Sequence, residues 1–181
     1  MMIYKFATGS EDKLREARSV LGEQLQSVKV DLLEVQSEDI SEVAAHKAKE
    51  GFEKIGEPVL VEDTGLYLEG LNGMPGPFIK WFLKADGIPG LLRMISGKSL
   101  VAKAVTVAAI YNGTEVITGV GEIEGSIANE ARGPNGFGWD KIFMPNGSSK
   151  TFGEMDLDEK NLYSMRRKAF ENIIAKLESP K

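Results

Sequence analysis

The chain changes its hydrophobic period near its middle, and that change limits the folds open to it. Up to Val61, apolar runs of strand type alternate with segments of helical period. Ile3–Ala7 reads as a buried strand ending at Thr8-Gly9-Ser10, and Glu11–Leu21 as a helix with Leu14, Ala17 and Leu21 on one face and Gly22 as its stop. Val28–Val35 reads as a second strand carrying Asp31 and Glu34. Asp39–Ile55 reads as a helix with Ile40, Val43, Ala44, Ala48, Phe52 and Ile55 on its apolar stripe, and Val59–Val61 as a short strand behind Pro58. The second half differs. Phe78–Ala85 and Gly90–Ile95 read as helices parted by Asp86-Gly87-Ile88-Pro89, and Val101–Tyr111 as a long β-branched strand ending at a hairpin signal, Asn112-Gly113. Glu115–Ile127 supplies one bent strand or two short ones, with Gly119, Gly121 and Gly125 read as bulges or bends. A glycine-rich loop, Arg132–Gly147, surrounds a short strand at Lys141–Phe143. The amphipathic helix Lys160–Leu177 closes the pattern, with Leu162, Met165, Ala169 and Ile173 on its stripe. Strand–helix units followed by hairpins predict an α/β fold with a mixed sheet.

At 181 residues, 42% hydrophobic and 27% charged, the chain has the size and balance of one soluble globular domain, residues 1–181. It has no cysteine, which excludes disulfides and thiolate metal sites and suits the cytoplasm. A single histidine, His46, excludes mechanisms that need a histidine pair. The net charge of −5 argues against nucleic acid or an anionic membrane as partner, yet a small phosphate ligand needs only a few local cations. The apolar run at Met1–Thr8 is too short for a signal peptide or a membrane span.

Four features fit structure alone poorly. Glu62 and Asp63 follow the apolar run Pro58–Val61, and carboxylates at a strand's carboxyl end suit a divalent cation or a general base. A solvated strand end is the plain alternative. Lys13 sits in the first turn of its helix, where the helix dipole disfavours a cation by ~0.3–1 kcal/mol. With the Thr8-Gly9-Ser10 turn it forms an anion site, unless it is simply solvated. Lys47 falls on the apolar stripe of its helix and either snorkels or reaches an anion. In Gly136-Phe137-Gly138-Trp139-Asp140 the aromatics either stack on a flat ligand or plug the loop. Met165 reads as core, Arg166 and Arg167 as a solvated pair, and His46 as solvated.

With these segments in place, the chain resembles the inosine triphosphate pyrophosphatase (Ham1-like) family. The resemblance runs end to end, through ATGS with Lys13, DLLEVQ with Glu34, VEDTGL, GMPGPFIKWFL, GFGWD, KTFGEM and EKNLYSMR. It implies hydrolysis of non-canonical purine nucleoside triphosphates (ITP, dITP, XTP) to the monophosphate and pyrophosphate. It also implies an elongated two-lobed α/β fold, a mixed central sheet flanked by helices, a cleft between the lobes, and a homodimer. By the same resemblance Thr8, Gly9, Ser10 and Lys13 hold the triphosphate, and Glu34 and Asp63 bind Mg²⁺. Asp63 orients or deprotonates the attacking water, and Glu62 assists. Lys47, Lys80 and Lys160 neutralise phosphate oxygens. Phe137 stacks on the base, the Trp139-Asp140 backbone and Arg166 read its edge, and Thr64 and Gly138 complete the substrate contacts.

Three positions depart from the family pattern. Ser10 replaces the usual asparagine, Lys141 stands where proline commonly follows the aspartate, and Met165 replaces the histidine of Ser-His-Arg. Methionine supplies neither ring nitrogen of that histidine. Two further readings therefore stand beside the first. One is a related pyrophosphatase of altered or relaxed base choice, and the other a nucleotide-binding protein without turnover.

Overall fold

The computed structural model describes residues 5–178. Ile3 and Tyr4, the start of the expected first strand, lie outside them; the strand itself, β1, covers Lys5–Ala7. Ser10 then starts helix α1, Glu11–Leu21, by accepting the Lys13 N–H, and Gly22 ends it with its own N–H on the Arg18 carbonyl. Strand β2 is Gln26–Val28 and pairs with β1 in parallel. Helix α2 runs over Ile40–Ile55 from an Asp39 cap to Gly56 in the left-handed region.

The expected strand at Val28–Val35 is absent, because its backbone is claimed by α2 side chains instead of a ladder. Glu50 accepts the Leu33 N–H at 2.7 Å, and Lys54 donates to the Asp31 carbonyl. Conversely, the strand expected to stop at Val61 begins there: β3 covers Val61–Leu68, so Glu62 and Asp63 lie inside a strand and not at its end.

A two-residue strand β4, Pro75–Gly76, pairs antiparallel with β3. Helix α3, Ile79–Ile95, is two helices joined at Gly87 (φ 64°, ψ −165°), whose backbone is not helical, as the expected break at Asp86-Gly87-Ile88-Pro89 implied. Strands β5, Val101–Tyr111, and β6, Val116–Ile127, form the expected hairpin. In its turn the Asn112 side chain accepts the N–H groups of Thr114 and Glu115, each at 2.9 Å. Strand β7 is Phe143–Pro145, two residues later than expected, and the larger sheet has the order β4-β3-β5-β6-β7. The closing helix is broken in two, α4 at Leu157–Asn161 and α5 at Met165–Glu178. Leu162, placed on its apolar stripe by spacing, lies in the break and is 73% exposed.

Two compact units make up the chain. The first gathers the described residues up to Thr64, with Thr106–Gly121 and those from Met165 onward; the second gathers Gly65–Val105 and Glu122–Ser164. In the first, Phe6, Leu14, Ala17, Leu25, Leu60, Ile110, Phe170 and Ile173 form one buried core, with Phe6 and Phe170 edge to face at 6.0 Å. Helix α5 lies so close to β6 that a Cβ on Gly121 would stand 2.0 Å from the Met165 carbonyl oxygen, and one on Gly119 2.2 Å from that of Ala169. These glycines admit a helix. The second unit holds an aromatic cluster of Trp139, Phe143 and Phe152, with centroids 5.3 and 5.2 Å apart. Among the described residues no helix is long and apolar enough to cross a membrane.

Candidate active site

The pleat of β3 sends adjacent side chains to opposite faces, and Glu62 and Asp63 accordingly have different partners. Asp63 meets α2. Lys47, on the apolar stripe of that helix, is buried and does not snorkel. Its Nζ donates to Asp63 Oδ1 at 2.7 Å and to Glu34 Oε1 at 2.9 Å. The irregular segment that carries Glu34 is the one held by Glu50 and Lys54. Burial alone would lower the Lys47 pKa, but Asp63 and Glu34 together outweigh it and hold the ammonium charged. Burial raises the Asp63 carboxyl above its usual range against the pull of Lys47. One ammonium shared between two carboxylates, with Glu62 adjacent, neutralises Asp63 only in part.

Asp63 Oδ2 is buried and has no hydrogen-bond partner. A lone buried carboxylate oxygen is costly unless a cation or donor meets it. Mg²⁺ characteristically takes one or two carboxylates and completes its shell with water and substrate phosphate, so Glu34 and Asp63 fit that ion. Among the described residues no group of three or more His, Asp or Glu side chains could hold a metal ion.

Glu62 meets α1 and α5. Lys13 reaches one of its oxygens, and Arg166 Nε donates to the other at 3.0 Å. Arg166 is buried rather than solvated. It also donates through Nη1 to Glu16 and through Nη2 to Thr64 Oγ1 at 3.3 Å. Burial would raise the Glu62 pKa, but Arg166 and Lys13 overcome it and hold the carboxyl well below the usual range. Such a group is too weak a base to take a proton near neutrality; its contribution is to fix two cations. In the turn at Thr8-Gly9-Ser10, Thr8 Oγ1 accepts the Ser10 N–H at 3.1 Å, Ser27 donates to the Thr8 carbonyl at 2.7 Å, and the space around Gly9 is open.

The second unit carries the remaining expected residues. In the loop at 136–140, Gly136 and Gly138 adopt positive φ, and Asp140 Oδ2 accepts the Phe137 N–H at 2.9 Å. The Asp140 N–H donates back to the Phe137 carbonyl at 3.1 Å. Trp139 is buried against Phe143, so of the two aromatics it is the plug, while Phe137 is half-exposed. Lys160 is buried, donates to Asp140 Oδ2 at 2.7 Å, and lies 5.3 and 5.2 Å from the ring centroids of Phe137 and Phe152. Lys80 is exposed on α3, with its ammonium 5.5 Å from the Trp81 ring. Met165 is buried as core, His46 is exposed, and Arg167 pairs at the surface with Glu171.

Two buried polar residues of this network were not read from sequence. Glu16 lies three residues after Lys13 and so shares its helix face. Thr106 is the one hydroxyl in the apolar run Ala104–Ile110.

Fold and side chains together define a class: a mixed-sheet α/β protein whose third strand pairs adjacent carboxylates with buried lysine and arginine side chains. The Ham1 family matches residues 4–176. The chain is 40% identical to the dITP/XTP pyrophosphatase of Methanopyrus kandleri, over 93% of this chain and 92% of that one. It is 41% identical to the inosine triphosphate pyrophosphatase of Ajellomyces capsulatus, over 96% and 95%. Among solved structures, a HAM1 protein from Coxiella burnetii superposes with a TM-score of 0.85 at 28% identity, covering 99% of this chain and all of that one. The chain belongs to the Ham1 family.

Proposed function

We propose that this protein hydrolyses non-canonical purine nucleoside triphosphates (ITP, dITP and XTP) to the monophosphate and pyrophosphate, and so cleans the nucleotide pool. The pyrophosphatase names of its relatives support the activity. The observation that carries the chemistry is the buried, unpartnered Oδ2 of Asp63 beside a carboxylate-bound lysine. When bound by Glu34 and Asp63, Mg²⁺ would supply Lewis-acid charge beside the triphosphate. Asp63 orients the attacking water and accepts its proton. Lys13 and the turn at Thr8-Gly9-Ser10 hold phosphate oxygens, with Lys47, Lys80 and Lys160 adding charge as pyrophosphate departs. Thr64 completes the contacts on β3. Phe137 and Gly138 carry the base, with Trp139, Asp140 and Arg166 setting its recognition.

In this reading residues 1–181 act as one domain, in the cytoplasm and as a homodimer, with no nucleic-acid or membrane partner. The absence of cysteine and the net charge of −5 support the compartment and the partner classes.

The test is pyrophosphate release with Mg²⁺ from ITP, dITP, XTP, GTP and ATP, beside Asp63→Asn. Rapid release from the first three, reduced about 100-fold or more in the variant, is expected for loss of a general base. No release from any of the five would leave a nucleotide-binding protein. A second reading, relaxed base choice, is favoured by one observation: the Met165 side chain is buried in core and offers the base nothing. It predicts that Met165→His sharpens the ratio of dITP to GTP turnover; an unchanged ratio removes it.

A further inference from the structure

The hydroxyl of Thr106 is wholly buried and 2.8 Å from Thr64 Oγ1, at the end of a chain of groups that leads to Glu62. The direction of every proton in that chain is fixed by what each neighbour can do. Arg166 has no acceptor, so its Nη2 donates to Thr64 Oγ1. Glu62 meets donors only, Lys13 at one oxygen and Arg166 Nε at the other, so Thr64 Oγ1, 3.1 Å from its Oε2, donates to it. Thr64 has one proton, and Glu62 takes it. What remains on Thr64 is a lone pair facing Thr106, which must therefore donate.

We infer that Thr106 is a positioning residue for this reaction: its hydroxyl orients Thr64 so that Glu62 keeps Lys13 and Arg166 in place. It touches no reacting atom. Without its hydroxyl, Thr64 loses the shorter of the two donor contacts that hold its rotor, and the carboxylate that anchors both cations loses part of its support. The inference rests on the pyrophosphatase reading for its link to turnover, but the proton order itself rests on geometry alone.

The test compares the near-isosteric Thr106→Val with Thr106→Ser, in the full chain, by pyrophosphate release from dITP and by the Arg166 Nε–H cross-peak in ¹H–¹⁵N spectra. Loss of one neutral hydrogen bond is expected to lower kcat/KM about 3- to 10-fold in Thr106→Val. The Arg166 cross-peak should move with it, and Thr106→Ser should restore both. A role in packing alone would give the reverse order, because valine preserves volume and serine does not. Equal rates in Thr106→Val and wild type, or an impaired Thr106→Ser, would overturn the inference. Should Thr106→Val not fold, Thr106→Ser against Thr106→Ala isolates the same hydroxyl. If the wild type releases no pyrophosphate, the functional reading fails separately. The cross-peak then decides, and a peak unmoved by loss of the hydroxyl refutes the network.

Discussion

Burial raises the proton affinity of Asp63, whereas Arg166 and Lys13 lower that of Glu62, so two adjacent carboxylates of one strand have different chemistry. Asp63 is the one proposed to exchange a proton or meet a cation, and Glu62 remains a fixed charge. The pH dependence of stability follows from the second. The folded-state pKa of Glu62 lies below its unfolded value of about 4.3. Its contribution is therefore complete above that value and lost as the pH falls toward the folded one. Glu62→Gln should cost roughly 3 kcal/mol at neutral pH, as expected for one partner removed from a buried ionic cluster. Denaturant titrations of the two proteins should converge only below about pH 4, reaching coincidence in stronger acid. A gap that widens on acidification would show that Glu62 is not the ionised anchor. Lys13 and Lys47 were legible from sequence because each offends a local rule, one at a helix amino end and one on an apolar stripe. Arg166 offends none. Its burial depends on Glu16 and Glu62, 150 and 104 residues away, and no local pattern signals those partners.

Helix α5 and strand β6 meet across two glycines, and their contact shows what element-level patterns carry and what they miss. A methyl group on Gly121 would stand 2.0 Å from the Met165 carbonyl, so the helix must shift to admit it. Gly121→Ala should destabilise the protein by about 2 kcal/mol, the middle of the range for overpacking. That corresponds to a fall in Tm of about 4–8 °C for a chain of this size, read by calorimetry. An unchanged Tm would mean the two elements are not in close contact. In sequence the same glycines suggest bulges or bends, and the helix they admit is not signalled, because a glycine that admits a neighbour and one that bends a strand look alike locally. Helices α1 and α2 were legible to within a residue, since Ser10, Gly22, Asp39 and Gly56 mark their ends by local chemistry. The false strand at Val28–Val35 had a plausible composition but no ladder partner; Glu50 and Lys54 of α2 satisfy part of its backbone instead. The break between α4 and α5 was hidden because Leu162 continued an apolar period that the chain does not use.

At the scale of the whole molecule, an acidic protein is proposed to bind a highly anionic substrate, and the cation ties the two facts together. The net charge is −5, and Glu34 and Asp63 share a single ammonium from Lys47. A divalent ion on those carboxylates removes local repulsion and the cost of the buried Asp63 Oδ2 together, so metal and nucleotide should each strengthen binding of the other. A ligand at one hundred times its Kd stabilises a fold by about 2.7 kcal/mol, equivalent to about 5–11 °C in Tm here. Mg²⁺ with a non-hydrolysable dITP analogue should therefore raise Tm by that order, and each component alone by clearly less. In the Glu34→Gln, Asp63→Asn double variant the nucleotide should still stabilise through Lys13 and the turn at Thr8-Gly9-Ser10, while the added effect of Mg²⁺ disappears. The readout needs no turnover, so it separates the metal site from the catalytic step. If Mg²⁺ keeps its full effect in the double variant, the ion is held by the substrate alone or by other side chains, and the assignment of Glu34 and Asp63 as its ligands falls.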